Sequence, residues 1–238
     1  MTLKYRLSIH RSLGSTMDEA RDLANAGVAE GIVVQALEQT AGRGRFGNQW
    51  DSPTGNLFMT IVLRPKKPLQ ECAQLSFVAA VAMAQACDEF GVGGLQLKWP
   101  NDALVNGQKL AGILLEMEGQ GDTPDFLLLG MGINVSYAPD GKAKLQDQNA
   151  DVDAATFREA LLIRLAQWYD VWQRDGFAPV RAAWVKRAYG LGQGITARLA
   201  NTQITGTFVD IDRHGALVMT DSETGKARMI TGGEVHFG

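Results

Sequence analysis

A chain of 238 residues can bury one substantial core and a small second unit, and 45% hydrophobic with 21% charged residues is a globular mixture, which excludes a disordered scaffold. A formal net charge of −3 excludes the broadly basic surface of a general nucleic-acid binder, so basic residues carry meaning only where they cluster. His10, His214 and His236 are scattered without metal-ligand spacing, which argues against a protein-built zinc site.

The first 21 residues lack the apolar core and small-residue cleavage site of a secretory signal, and no later run approaches about 18 apolar residues, so a cytoplasmic protein without membrane contact is expected. Thr16-Met17-Asp18-Glu19 has the form of a capping box and leads into "MDEARDLANAG", predicting a helix from Ser15 or Thr16. "GIVVQALEQ" and "NLFMTIVLRP" read as strands, and "LQECAQLSFVAAVAMAQACDEFG" as one long buried helix ending at Gly91. Cys72 and Cys87 would stand roughly 22 Å apart on that helix, too far for a disulfide. "GLQLKW", "DALV", "KLAGILLEME" and "DFLLLGMGINVS" read as strands, with Asn106-Gly107 as a hairpin turn between the second and third. Tyr137 to Asp153 is polar and predicts a long loop. An amphipathic helix follows from Ala154, its Phe157, Leu161, Leu165, Trp168 and Trp172 read as core, and then a shorter helix from Phe177 to Ala188. Beyond Leu191 only short strands remain: "ITARLA", "ITGTFVDI", "ALVMTD", "KARMIT" and "EVHF". The expected architecture is α+β, a mixed sheet with helices over residues 1–188 followed by a small β-barrel over 189–238.

Two stretches invite a chemical reading. "TAGRGRFGNQW" contains G-x-G-x-x-G at Gly42, Gly44 and Gly47, but no helix signal follows it and no acid lies between Asp51 and Glu71, so a dinucleotide turn is rejected. What remains is Arg43 and Arg45 set among glycines, either an anion-binding loop or a solvated basic turn. The second stretch, "LKWPNDALVNGQKLAGILLE", carries Lys98, Trp99, Pro100, Asn101, Asp102, Lys109 and Gly112; locally, a structural turn and a site are equally good readings.

The ordered combination of Gly-Arg-Gly-Arg, Lys-Trp-Pro-Asn-Asp, Lys-Leu-Ala-Gly-Ile-Leu and Gly-Ile-Asn (Gly132 to Asn134) resembles the biotin protein ligases, the biotin–[acetyl-CoA carboxylase] ligase family, from about Ser15 onward. The resemblance implies a mixed-sheet fold related to class II aminoacyl-tRNA synthetases and lipoate ligases, with an SH3-like C-terminal barrel. It implies biotin and ATP as substrates, with Mg²⁺, giving biotinyl-5′-AMP and then biotinylation of a lysine on the biotin carboxyl carrier protein. Lys109, Arg45 and Arg43 are the implied catalytic cations. Ser15, Thr16, Gln39, Arg43, Gly44, Arg45, Trp50, Lys109 and Gly112 are implied at biotin. Gly42, Arg43, Gly47, Lys98, Asn101, Asp102, Lys109 and Asn134 are implied at the nucleotide, with Asp102 as the Mg²⁺ side chain. Bland roles stand beside these: Ser15 or Thr16 is also the helix cap, and Trp50 walls the biotin tail or anchors the loop. Two positions depart from the family pattern, Asn48 where an Arg is common and Met17 where an Asn is common, and Tyr137 to Asp153 offers no Trp for adenine. The span before Ser15 is too short for a winged helix-turn-helix, so a ligase without operator binding is expected. Exposed strand edges leave two uses open, a homodimer or contact with the carrier. The rival readings are a lipoate or octanoate ligase or transferase of related fold, and a non-catalytic biotin-binding module.

Overall fold

The computed structural model describes residues 3–148, 151–199 and 202–237. Asn149 and Ala150 of the predicted loop, and Ala200 at the end of "ITARLA", lie outside the described residues.

Seven strands form one sheet: β1 (Arg6–Leu13), β2 (Ile32–Gln39), β3 (Leu57–Leu63), β4 (Leu95–Lys98), β5 (Asp102–Val105), β6 (Gln108–Glu118) and β7 (Phe126–Ile133), in the order β1-β2-β3-β7-β6-β5-β4. Only β1 and β2 run parallel, joined over the sheet by α1 (Thr16–Asn25). The faces follow the two-residue period of the strands. Leu57, Met59 and Ile61 of β3 and Leu127, Leu129, Met131 and Ile133 of β7 join the main core. That core is closed by α3 (Leu75–Glu89), α4 (Ala154–Asp175) and α5 (Phe177–Val185). Val62, Leu128 and Val34 point to the other face, where Met17, Ala20 and Ala24 of α1 cover them. α1 is short, so this second face is only half covered and a hollow remains beside its N-terminus.

Three expectations need correction, and one strand stands where none was expected. β1 was not anticipated: its sequence RLSIHRSL carries charge and leaves Leu7 and Ile9 exposed, as edge strands often do. The predicted helix ending at Gly91 is two, α2 (Leu69–Cys72) and α3, because the bonds Gln74 N to Glu71 O and Phe77 N to Gln74 O tighten the backbone to three-residue spacing. Both cysteines are buried and free. The helix expected to reach Ala188 stops at Val185, because the next residues pair with β4: Leu97 N donates to Arg187 O at 2.7 Å and Tyr189 N to Leu97 O at 2.9 Å. Finally, Ser15 caps α1, its Oγ accepting from Met17 N, while Thr16 is the first helical residue, so no Thr16–Glu19 capping box forms.

The tryptophans of α4 serve the core as expected: the Trp172 indole donates to Gln74 Oε1 and that of Trp168 to Gln85 Oε1, both at 2.8 Å. The predicted loop after β7 contains a 3-10 turn, Leu145–Gln148, that buries Leu145.

The last five strands, β8 (Gly194–Arg198), β9 (Gln203–Ile211), β10 (Leu217–Asp221), β11 (Ala227–Ile230) and β12 (Glu234–Phe237), form an antiparallel sheet in the order β11-β10-β9-β8-β12. Its core residues Phe208, Ile211, Leu217 and Met219 belong to the same apolar cluster as the main sheet. The Trp99 indole donates to Gly215 O at 2.9 Å, and Arg181 of α5 donates to Ile211 O at 2.6 Å and pairs with Asp210. No helix among the described residues is long and apolar enough to cross a membrane.

Candidate active site

The hollow beside α1 is a cavity of about 520 Å³, within the range of small-molecule sites. Its floor is β6 and β7. Gly130 and Gly132 sit two apart on β7, opposite Leu114 and Gly112 of β6. A Cβ on Gly132 would lie 2.7 Å from the Trp50 indole, and one on Gly130 would lie 2.7 Å from Met17 Sδ. Gly132 is therefore required so that the Trp50 ring can lie on the sheet itself, and Gly130 leaves room for the flexible end of Met17.

One wall is a polar relay. Gln39 Oε1 accepts from Thr16 N (2.8 Å) and Thr16 Oγ1 (3.1 Å), Thr60 Oγ1 donates to Thr16 Oγ1 (2.9 Å), and Gln39 Nε2 donates to Ser52 Oγ (2.9 Å). Ser15, Thr16 and Thr60 are buried, so a ligand here meets fixed hydroxyls and a fixed amide.

The glycine-arginine loop forms the lid side. It is rooted on β1 through Thr40 N to Leu13 O and Ala41 N to Gly14 O, and pinched by Gly44 N to Asn48 O (2.7 Å) and Trp50 N to Gly42 O (2.9 Å). A 3-10 turn, Arg45–Gly47, forms its tip; no α-helix opens there, in keeping with the rejected dinucleotide reading. Arg43 grips Asp18 of α1 in a two-point pair at 2.7 and 2.9 Å. Arg45 reaches toward Asn101 Oδ1 and Gly233 O, both at 3.4 Å. Burial works against the charge of Arg45, with Asp102 and Glu234 opposing that effect.

Lys109 owes its aim to an irregularity. Across β5 and β6 the register runs Asp102↔Gly112 and Ala103↔Ala111, then slips to Leu104↔Lys109, leaving Leu110 as an extra residue. Such a bulge reverses the facing of what lies beyond it. Lys109 therefore lies against Gly112 on the cavity side, its Nζ 2.7 Å from Asp102 Oδ1 and 5.2 Å from the Trp50 ring centroid. Asn101 is fixed by its Nδ2 to Ile113 O at 2.6 Å. The Trp99–Pro100 peptide is cis.

Ser15, Thr16, Gln39, Arg43, Gly44, Arg45, Trp50, Lys98, Asn101, Asp102, Lys109, Gly112 and Asn134 thus all line one cavity. Gly42 and Gly47 do not line it. Gly42 shapes the loop, since a Cβ there would lie 2.5 Å from Ser52 Oγ and Trp50 O. Asn134 is buried and its Nδ2 donates to Ala143 O at 3.0 Å, so it anchors the loop after β7 as well as lining the cavity. Sequence reasoning missed Thr60, Gly130, Lys142, Glu234 and His236 in the lining. Gly130 carried a usable signal, a second glycine at strand spacing from Gly132; the other four carried none.

The Asp18–Arg43 pair has a pH signature. Hydrogen bonds from Arg43 hold the Asp18 carboxyl below the usual carboxylate range, against partial burial and with help from Arg21. A depressed folded-state pKa contributes stability above the unfolded value, about 3.9, that is lost as pH falls through the lower folded value. Amide exchange at Gly44 and Trp50 is therefore expected to stay slow from neutral pH to about pH 4, after correction for intrinsic rates, and to accelerate only below it. Asp18→Asn should exchange faster throughout without that step, and a wild-type step well above pH 4 would contradict the pairing.

Residues 10–134 match the biotin/lipoate A/B protein ligase family, and residues 190–238 match the biotin protein ligase C-terminal domain. The chain is 40% identical to the biotin–[acetyl-CoA-carboxylase] ligase of Paracoccus denitrificans, over 94% of this chain and 97% of that one. It is 37% identical to the bifunctional ligase/repressor BirA of Bacillus subtilis, over 91% of this chain and 70% of that one. The structure of the biotin protein ligase from Aquifex aeolicus in complex with biotin and ATP superposes with a TM-score of 0.82 at 26% identity, covering 98% of both chains. The order of motifs, the mixed sheet with its appended β-unit and these matches agree: the chain belongs to the biotin/lipoate A/B protein ligase family.

Proposed function

We propose that the protein is a biotin protein ligase, which condenses biotin with ATP to biotinyl-5′-AMP and then passes biotin to one lysine of a carrier domain of acetyl-CoA carboxylase. The observation that carries this reading is the position of Lys109, between a polar relay suited to a ureido group and a set of cations suited to phosphates. The carbonyl of a ureido ring accepts hydrogen bonds and its two N–H groups donate. Ser15 Oγ, which accepts from Met17 N, keeps its proton for the carbonyl, while Thr16 and Thr60, whose protons serve the relay, accept from the N–H groups. Trp50, lying on Gly112 and Gly132, walls the apolar tail.

In the first half-reaction a biotin carboxylate oxygen attacks the α-phosphorus of ATP, and the bond to the β-phosphate breaks with its electron pair leaving on pyrophosphate. Two like charges at 4 Å repel by about 4 kcal/mol at an effective dielectric of about 20, so cations fixed at the reacting atoms lower the barrier. Lys109 leaves Asp102 to bridge carboxylate and α-phosphate, and Arg45 and Arg43 close over them. ATP brings Mg²⁺ as part of the substrate. No group of three or more His, Cys, Asp or Glu among the described residues could hold a metal alone, and Asp102, a single carboxylate beside the phosphates, is the side chain suited to complete its shell. In the second half-reaction the carrier lysine attacks the acyl carbon, the bond to AMP breaks, and Asp102, freed from Lys109, takes the ammonium proton.

In this reading residues 1–188 bind and activate biotin, residues 189–238 complete the site from the far side, the protein works in the cytoplasm with its carrier, and the exposed edge of β1 is available to a second subunit. Pyrophosphate release from ATP tests the reaction. Biotin alone should give one turnover and added carrier domain should make release catalytic. Release with lipoate or octanoate but not biotin would assign the protein to the neighbouring branch of the family, and none with any acid would leave a binding module.

A further inference from the structure

Beyond Lys109 lies a second hollow of about 280 Å³. Lys98, Asp102, Lys109, Lys142 and His236 line both hollows, so a charged partition separates them. These residues come from β4 to β6, the loop after β7 and β12 of the C-terminal sheet. The outer wall of the second hollow is Tyr189 and Phe237, packed edge to face at 4.8 Å.

The charges on this partition do not balance. Three ammonium groups and an imidazole share the lining of the second hollow with Asp102, whose Oδ1 is already 2.7 Å from Lys109 Nζ. Glu234 stands on the main-cavity side, 3.7 Å from His236. Lys98, its Nζ 5.6 Å from the Phe237 ring centroid, is held below the ordinary lysine range by burial first, with Lys109 and Lys142 adding repulsion against the pull of Asp102 and Glu234. Three ammonium groups against the two carboxylates, Asp102 and Glu234, leave this lining net positive, which favours a multiply charged anion. The aromatic outer wall offers such an anion no competing carboxylate.

The reaction supplies an anion with a direction. In a displacement at phosphorus the leaving oxygen departs opposite the attacking one. On the adenylation reading above, biotin approaches from the Trp50 side of Lys109, and departure runs toward the side where Asp102, Lys98 and the second hollow lie. We propose that the second hollow receives the leaving pyrophosphate, and that Lys142 and His236 are binding residues for it. The phosphorus–oxygen bond that breaks leaves its electron pair on pyrophosphate, no proton is transferred, and Lys142 and His236 act by charge and hydrogen bonding alone.

Titration calorimetry of the full chain with inorganic pyrophosphate and magnesium, without biotin or ATP, tests the site directly. The wild type should bind, and Lys142→Gln and His236→Gln should each weaken binding, Lys142→Gln by about tenfold or more. Lys142→Arg should bind within about threefold of wild type, a rescue that a structural role for the loop alone does not predict. In turnover the same variants should raise the pyrophosphate inhibition constant by a similar factor and shift the biotin KM by less than about twofold. No pyrophosphate binding to the wild type, or equal binding to Lys142→Gln, overturns the proposal. Pyrophosphate binding that depends on Lys142 in a protein with no biotin-dependent turnover supports the anion site and strikes the adenylation reading instead.

Discussion

Lys109→Ala is expected to lower biotin-dependent pyrophosphate release by about 100- to 1,000-fold, the usual effect of removing one charge-stabilising donor from a water-poor site. The protein should remain folded, because Lys109 is half-buried at the cavity edge and packs on Trp50 rather than within the core. The loss should fall mainly on kcat, since the charge acts on phosphate oxygens that become more negative toward the transition state. Asp102, left without its 2.7 Å partner, gives a second expectation: Lys109→Arg keeps the pair but moves the donor, and should recover only a small part of the rate. Single-turnover measurement of adenylate formation, with circular dichroism as a control for folding, checks both. Turnover of Lys109→Ala within about tenfold of wild type would remove Lys109 from the chemistry.

Gly132→Val should act at the other end of the site. The new Cβ would stand 2.7 Å from Cε2 and Nε1 of Trp50, and the methyls beyond it would press closer still, so the indole must leave the sheet. Overpacking of this kind costs about 1–3 kcal/mol, and here the cost falls on the ring that walls the ligand. The KM for biotin is expected to rise by about tenfold or more. The strand itself should persist: Gly132 keeps its pairing with Phe58 and Gly112, and the main core lies on the opposite face. Gly130→Ala should do less, because its Cβ meets the sulfur of Met17, the movable end of a flexible side chain. Biotin binding by titration separates the two variants, and equal affinities would show that Trp50 is no part of the pocket.

Much of this site was legible in the amino-acid sequence. The strands from Gly31 onward, the long α4 and the run of short C-terminal strands follow from hydrophobic period and turn residues, and the two arginines and Lys109 stand in short ordered motifs. What sequence could not supply was parity and docking. Counting along β6 with a period of two, Lys109 shares the face of Ile113 and points into the core; the extra Leu110 reverses that, and bulges leave no local mark in a strand this apolar. The helix break at Ala73 and Gln74 was invisible for a similar reason, since Gln74 is held by the indole of Trp172, distant in the chain. Glu234 and His236 look like any polar residues on a short strand until Trp99 and Arg181 fasten the C-terminal sheet against the site. Thr16 and Ser15 divided roles that the sequence had left joined, Ser15 capping the helix and Thr16 turning its hydroxyl to Gln39.

The pairing of Lys109 with Asp102 and of Arg43 with Asp18 has a bearing on competition inside a cell, where free phosphate and small carboxylic acids abound. A single weak anion entering the cavity must displace a carboxylate already in place and gains little by the exchange. An acid and a nucleotide entering together can exchange both carboxylates at once. On the proposed reading the resting ion pairs set a threshold that a lone weak anion meets less readily than the two substrates together.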